Sequence, residues 1–582
     1  MAQAGPLQQD RPTGHGSDGS AGTTMWAVVL EATIVVGLAL VASVVTTWPL
    51  VLHLGTVAHD ATDAPFQAWT IDHVQWAITT GGPLWDANIF APNRRTLAYS
   101  DSLLGLAIPL LPLRWFGVGP IAQLNTALLV GMSASAGAGY LFGRVVTRCR
   151  SGAAITAVAS AYGPFGATST SHLHTAVRPG IALAATATWW LTDRSHQGRG
   201  LRAPTVLLVA SVVWQMSVSF YPGVYSVAAV LVVLAVRWRS LERRAVGAAA
   251  LALLVCGAAT LSLAIPYLQV LDEGRQFVRS PDEIANLGMD ITTVKPGLTV
   301  WGDLLAPDSF SLPAFPGLAL LVLGTVGLIG GIRRPGRTRV MSTTGLAFVL
   351  TGAFLALGTA GSGWRAASPY RLLFDHVPGF TILRATGRAW ILGVLGLGLL
   401  GAVGCRVLGS IAAGGDGGAR RSSRATALVA TLGVVATVFE GYGSWSDRPT
   451  IEVSAVDHAL AVEPVAGGVV YLPALVPGGS AELATTFGQV ENVFGTTAHH
   501  RRTPNGYSGL GPAEWPAFSA RMRGLPSPTT LGELRRIDVT FVVVRSTVRG
   551  TPWERLINPA RAAPLRLVGR YGGDILYRLP PP

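Results

Sequence analysis

Long apolar runs recur along nearly the whole of this chain, and short arginine clusters stand in every second gap between them. Each run is a candidate for a helix crossing the ~30 Å hydrocarbon core of a bilayer, where only a helix or a closed barrel satisfies its own backbone hydrogen bonds. The composition agrees. Charged residues make up 13% and hydrophobic residues 49%, and the mean hydropathy is +0.43. Soluble domains carry roughly 25% charged residues, so a soluble chain of this size would lack the polar surface to cover its core. The runs are continuous rather than alternating, which excludes a transmembrane β-barrel. A polytopic α-helical membrane protein is the expected fold.

Eleven spans are expected, over residues 25–52, 121–142, 153–170, 177–191, 203–220, 223–236, 246–267, 315–332, 342–359, 389–408 and 426–441. The clusters Arg144/Arg148/Arg150, Arg194/Arg199/Arg202, Arg237/Arg239/Arg243/Arg244, Arg333/Arg334/Arg337/Arg339 and Arg420/Arg421/Arg424 then fall on one side. The positive-inside rule makes that side the cytoplasm. The N-terminus is expected inside, with residues 1–24 a polar, disordered cytoplasmic tail. Residues 25–443 form the membrane domain, and 53–120 is its first extracytoplasmic loop. Within that loop, counting 102–117 as a span would put Arg144/Arg148/Arg150 outside. A re-entrant or interface-lying segment is expected there, with Trp115 and Phe116 at headgroup level.

The net charge of +13 is spread through these clusters and forms no single basic patch, so nucleic acid is not an expected partner. Cys149, Cys256 and Cys405 show no metal-like spacing, and neither disulfide nor zinc site is expected. Residues 444–582 are long enough for a small extracytoplasmic domain. Strand-like runs at 468–472 and 539–544, and a hairpin pattern around Gly572-Gly573-Asp574 over 565–579, mark it as α/β.

Chemistry is most legible in the first outer loop. It carries Asp60 and Asp63 before Gln67-Ala68-Trp69, then Asp86-Ala87-Asn88-Ile89-Phe90-Ala91-Pro92 and Thr96-Leu97-Ala98-Tyr99-Ser100. A carboxylate at the edge of low dielectric is costly to keep ionised. Such a group can take a proton from an acceptor hydroxyl or hold a cation near a phosphate. The same acids also fit an ordinary outer loop. His172 and His174 in a later outer turn suit phosphate contact or interfacial packing. Arg384 and Arg388, four apart and read as one face of a helix entering the membrane, suit a phosphate clamp or a lipid anchor.

These motifs, in this order, resemble those of large bacterial membrane proteins placed with the GT-C class of glycosyltransferases. The resemblance rests on the loop just quoted and on Ala161-Tyr162-Gly163-Pro164-Phe165 followed by His172-Leu173-His174. It continues through the stretch from Val377 to Arg388, which carries the "pro-gly-phe … arg-x-x-x-arg" pattern, and the His499–Gly509 region, where His500 replaces an aromatic. It covers roughly residues 46–544. Thr62 stands where relatives commonly have Gly.

The resemblance implies GT-C architecture and transfer of a sugar from a polyprenyl-phosphate donor to an envelope glycan, lipid or protein acceptor on the extracytoplasmic face. It implies Asp63 as the essential acid, with Asp60 second. His172, His174, Arg384 and Arg388 would bind the donor. No cofactor is certain, and a divalent metal is an open possibility. Asn505-Gly506 reads as a turn with Tyr507 as its packing residue. The alternatives are a transporter or flippase of lipid-linked material and a non-catalytic membrane scaffold.

Overall fold

The computed structural model describes residues 18–272, 280–289, 314–359, 368–377, 379–381, 383–414, 419–443, 445, 447–474, 482–509 and 511–581. Residues 1–17 of the expected tail lie outside these, as do 290–313 and 360–367 of the later outer loops. The first helix begins at Asp18, ahead of the expected start of the first span.

Among the described residues, six helices are long and apolar enough to cross a membrane: Trp26–Thr46, Pro120–Thr147, Arg243–Leu271, Arg337–Ala356, Thr386–Ala412 and Arg420–Glu440. Arg202–Val218, Phe220–Val236 and Leu318–Ile332 are apolar but shorter. The expected span at 153–170 is not one helix. It divides into Arg150–Ala161 and Pro164–Thr168, because Pro164 lacks the N–H that continuation requires and instead opens a new helix. The span expected at 177–191 falls on Pro179–His196. The 102–117 segment makes only the short helices Leu104–Ala107 and Leu111–Trp115, followed by an exposed Phe116.

Arginine-rich turns gather at one end of the bundle. Glu31 accepts from Arg144 at 3.0 Å and pairs with Arg150 at 2.7 Å. Arg337 donates to the carbonyls of Val145 and Val146, both at 3.0 Å, and Arg237 pairs with Asp193 at 2.6 Å. The first loop lies at the opposite end, where Asn125 donates to the carbonyls of Leu54 and Val57.

Trp390–Ala412 is the central helix, with nearly every side chain enclosed. In lipid, helices associate by close backbone packing rather than by the hydrophobic effect, so small residues mark the contacts. A Cβ on Gly327 would collide with the Leu400 carbonyl, and one on Gly404 with that of Leu323. Helix Leu318–Ile332 thus interlocks with the central helix through glycine notches on both partners.

The C-terminal part carries one sheet of strands β1 (Gly468–Leu472), β2 (Val539–Val544), β3 (Arg566–Tyr571) and β4 (Asp574–Arg578). Their order is β1-β2-β4-β3, with β1 parallel to β2 and the other pairs antiparallel. The β3–β4 turn uses Gly572 at φ +60°, which favours glycine. Helices Ala455–Val462, Glu482–Gly495, Trp515–Met522 and Pro528–Arg536 accompany the sheet, and apolar clusters cover both its faces. Beside β1, the buried Arg545 reaches Asp457 at 3.0 Å, Asp574 at 2.9 Å and Asn492 at 3.0 Å, and the Tyr471 hydroxyl donates to Asp457 at 2.7 Å.

Candidate active site

Asp63 is the first residue of helix Asp63–Thr80, which lies in the first loop. Its two carboxylate oxygens face different parts of the chain. Oδ2 is 3.1 Å from Nε2 of His172, and Oδ1 accepts from the Tyr507 hydroxyl at 3.0 Å. Burial alone would raise its pKa, but the hydrogen bond and charge of His172, with Tyr507, hold it below the usual carboxylate range.

Asp60 does a different job. Its Oδ1 accepts from the Thr62 amide at 2.8 Å, the Thr62 hydroxyl at 3.0 Å and the Ala64 amide at 3.2 Å. The two amides are orphan donors of the helix start, so Asp60 caps the helix that presents Asp63. Burial opposes its ionisation, yet His59 and these amides bring its pKa down to about 2.

Gln67 explains how distant histidines reach the loop. Its side-chain amide donates to the carbonyls of Asp63 at 3.0 Å and Ser171 at 3.3 Å, while its oxygen accepts from the Leu173 amide at 2.6 Å. Arg178 holds the far end of the histidine turn by donating to the carbonyls of Ser160 and Thr175. His172 is thereby aimed at Asp63, with its Nδ1 2.8 Å from the Ser171 hydroxyl. His174 turns the other way. Its Nε2 lies 3.0 Å from Nη1 of Arg388 and 3.7 Å from Asp101. Burial, reinforced by the Arg388 charge, pushes His174 well below its ordinary pKa, and burial raises that of Asp101.

Arg388 also stacks over the Tyr221 ring, 5.0 Å from its centre. The expectation of Arg384 and Arg388 on one helix face needs correction. Residues 383–385 are not helical, Thr386–Ala389 is a 3-10 turn, and the central helix begins only at Trp390. Arg384 is exposed, and its backbone amide donates to the Tyr221 hydroxyl at 2.8 Å.

His172 and Arg388 both line an open cleft. Thr168, Ser169 and Thr175 give it polar edges, and Phe165, Met289 and Ile391 an apolar wall. A charged head and an apolar body fit such a lining. Among the described residues, no group of three or more His, Cys, Asp or Glu is disposed to hold a metal ion.

The C-terminal part meets this loop directly. Asn88 accepts from the Trp69 indole at 3.2 Å and donates to the Arg501 carbonyl at 3.3 Å. The Phe90 amide donates to the Asn505 carbonyl at 2.9 Å. Asn505 is fully buried, donating to the Tyr471 carbonyl and accepting from its amide. The stretch read as a turn is thus a pinned crossing, and its Tyr507 contacts Asp63 as well as packing. Asp101 and Tyr221 are site neighbours that motif reading passed over, and Tyr507 is one it took for packing alone. Asp101 follows directly on the quoted Thr96–Ser100 stretch, and Tyr507 belongs to a quoted motif. Tyr221 offered no signal.

No protein-family model matches the sequence, and no curated protein does. Among solved structures, the arabinofuranosyltransferase AftD from Mycobacteria matches 95% of this chain at a TM-score of 0.53 and 14% identity. This chain spans 41% of that protein's length. Oligosaccharyltransferase AglB from Archaeoglobus fulgidus, in complex with an inhibitory peptide and a dolichol-phosphate, matches at a TM-score of 0.46 and 11% identity, over 89% of this chain and 69% of its own. ArnT from Cupriavidus metallidurans, bound to undecaprenyl phosphate, matches at 0.43 and 12% identity, over 96% and 98%.

Proposed function

We propose, from the GT-C fold that this chain carries, that it is a membrane glycosyltransferase using a polyprenyl-phosphate sugar. The acceptor is an envelope glycan, lipid or protein, reached on the extracytoplasmic face. Eleven helical passes put the N-terminus in the cytoplasm and the C-terminal domain outside, in keeping with the arginine-rich turns at the end of the bundle away from Asp63.

One observation carries this reading. Asp63 stands 3.1 Å from His172, which lines a cleft together with Arg388. In the proposed reaction the acceptor hydroxyl attacks the anomeric carbon from the face opposite the lipid phosphate. The new C–O bond forms as the bond to the phosphate breaks, and the acceptor proton passes to Asp63. The phosphate leaves with the electron pair, steadied by donors already in place. Arg388 supplies a fixed positive charge, His174 orients it, and His172 lies between base and phosphate. Arg384 serves the rim. The apolar wall of Phe165, Met289 and Ile391 takes the first part of the prenyl chain.

The test is genetic and chemical. Deleting the gene should remove a defined envelope glycan or glycolipid, and the wild-type chain should restore it. Asp63→Asn should fail to restore it at normal protein level and thermal stability. Full restoration by Asp63→Asn would overturn the assignment of Asp63 as base.

A further inference from the structure

We infer that Tyr507 is a positioning residue through which the C-terminal domain fixes the Asp63 carboxylate for proton transfer. This rests on the reading of Asp63 as the base.

The contact joins residues 444 positions apart, and the structure over-determines it. On one side, Asn505 is locked to β1 through both the amide and the carbonyl of Tyr471, and its side chain also donates to Gln489 at 3.2 Å. Next to it, Gly506 lies so close to the Phe90 ring that a Cβ would collide with it. Only glycine lets the chain cross there. The Tyr507 ring then packs edge-on against Phe66, with 5.3 Å between centres, on the helix that Asp63 opens. These restraints leave the phenol hydroxyl little choice of position, and it donates to Asp63 Oδ1 at 3.0 Å.

The consequence for Asp63 is chemical. Oδ1 is bound by a neutral donor from the C-terminal domain, and Oδ2 faces His172 from the membrane domain. A carboxylate held at both oxygens cannot swing about its side-chain torsions, so the remaining lone pairs keep one direction. Tyr507 stays protonated as it does this, since burial and the Asp63 charge both push its own pKa up. Donation to the ionised carboxylate favours that form, so losing the phenol must raise the Asp63 pKa.

Carboxyl labelling reads this directly on the full-length protein in detergent. A water-soluble carbodiimide with an amine nucleophile modifies protonated carboxyls, and fragmentation mass spectrometry separates Asp63 from Asp60 in one peptide. In Tyr507→Phe, which keeps the packing on Phe66, labelling of Asp63 should rise on the order of 3- to 10-fold at pH 5–6. Asp60 labelling and melting temperature should stay at wild-type values. Gly506→Ala, which keeps the phenol but displaces it, should raise Asp63 labelling in the same direction. Unchanged Asp63 labelling in both variants would overturn the inference. So would an equal rise at Asp60, which would mean that the loop as a whole has loosened. The labelling does not depend on sugar transfer, so its failure leaves the reading of Asp63 as base standing, and that reading fails instead on restoration by Asp63→Asn.

Discussion

Nη1 of Arg388 lies 3.0 Å from Nε2 of His174, and a guanidinium has only donors, so the imidazole accepts there and carries its proton on Nδ1. Arg388 is thus oriented by a neutral histidine on one side and by the Tyr221 ring on another. Lysine keeps the charge but loses the planar fork and the stacking. Arg388→Lys should lower donor use roughly 10-fold and Arg388→Ala roughly 100-fold, as expected for one to two charge-assisted hydrogen bonds. Arg384→Ala should cost less, because that side chain is exposed. Transfer rates at subsaturating donor would check the order, and wild-type rates in Arg388→Lys would show that the fork is unimportant.

Asp60 should reveal itself through stability rather than rate. Its folded-state pKa of about 2 lies below the ordinary 3.8, so its contribution is complete above about pH 4 and disappears as the pH falls toward 2. The contribution is roughly 1–2 kcal/mol once solvent screening is allowed for. Melting curves of the detergent-solubilised protein should show a wild-type loss in this window that Asp60→Asn lacks. An identical acid profile in both would sink the capping role.

In the C-terminal domain, Asp457 should matter for folding alone. Removing it leaves the buried Arg545 short of one partner, which typically costs about 3–5 kcal/mol. Arg545 keeps Asp574 at 2.9 Å, so Asp457→Ala should fall at the lower end, about 3 kcal/mol. Limited proteolysis should detect it as faster cleavage of the C-terminal part, with the membrane helices intact. Wild-type resistance would mean that Asp574 suffices.

For topology, a reporter active only outside the cytoplasm should work when fused after Val544 and stay silent at Gly336. Gly336 sits beside Arg337, whose guanidinium binds the carbonyls of Val145 and Val146 at the arginine-rich end. The reverse pattern would turn the site toward the cytoplasm.

How much of this was legible beforehand depended on the range of the interaction involved. β1 and β2 announce themselves as short runs rich in β-branched residues, and the β3–β4 hairpin by its glycine turn, because local pattern decides a strand. Asp63 stood out as a carboxylate beside an apolar run. Its separation from Asp60 did not, since that turns on which oxygen meets the Thr62 and Ala64 amides. The arginine pair was misread because a spacing of four implies a shared face only inside a helix, and residues 383–385 are not helical. Tyr507 was hidden most deeply. Its role depends on Asn505, Gly506 and Phe90 meeting across the whole chain, and no local window contains that.

The interlocked glycines of the central helix have a consequence for how the proposed centre can be tuned. Arg388 is mounted two residues ahead of a helix keyed by Gly327 and Gly404 against sliding, whereas Asp63 hangs from a loop clasped by the C-terminal sheet. Arg388 and Asp63 therefore rest on partly different supports, one set by helix packing and one shared with the C-terminal part. In the proposed reaction, changes around the sheet would shift the carboxylate while leaving Arg388 in place.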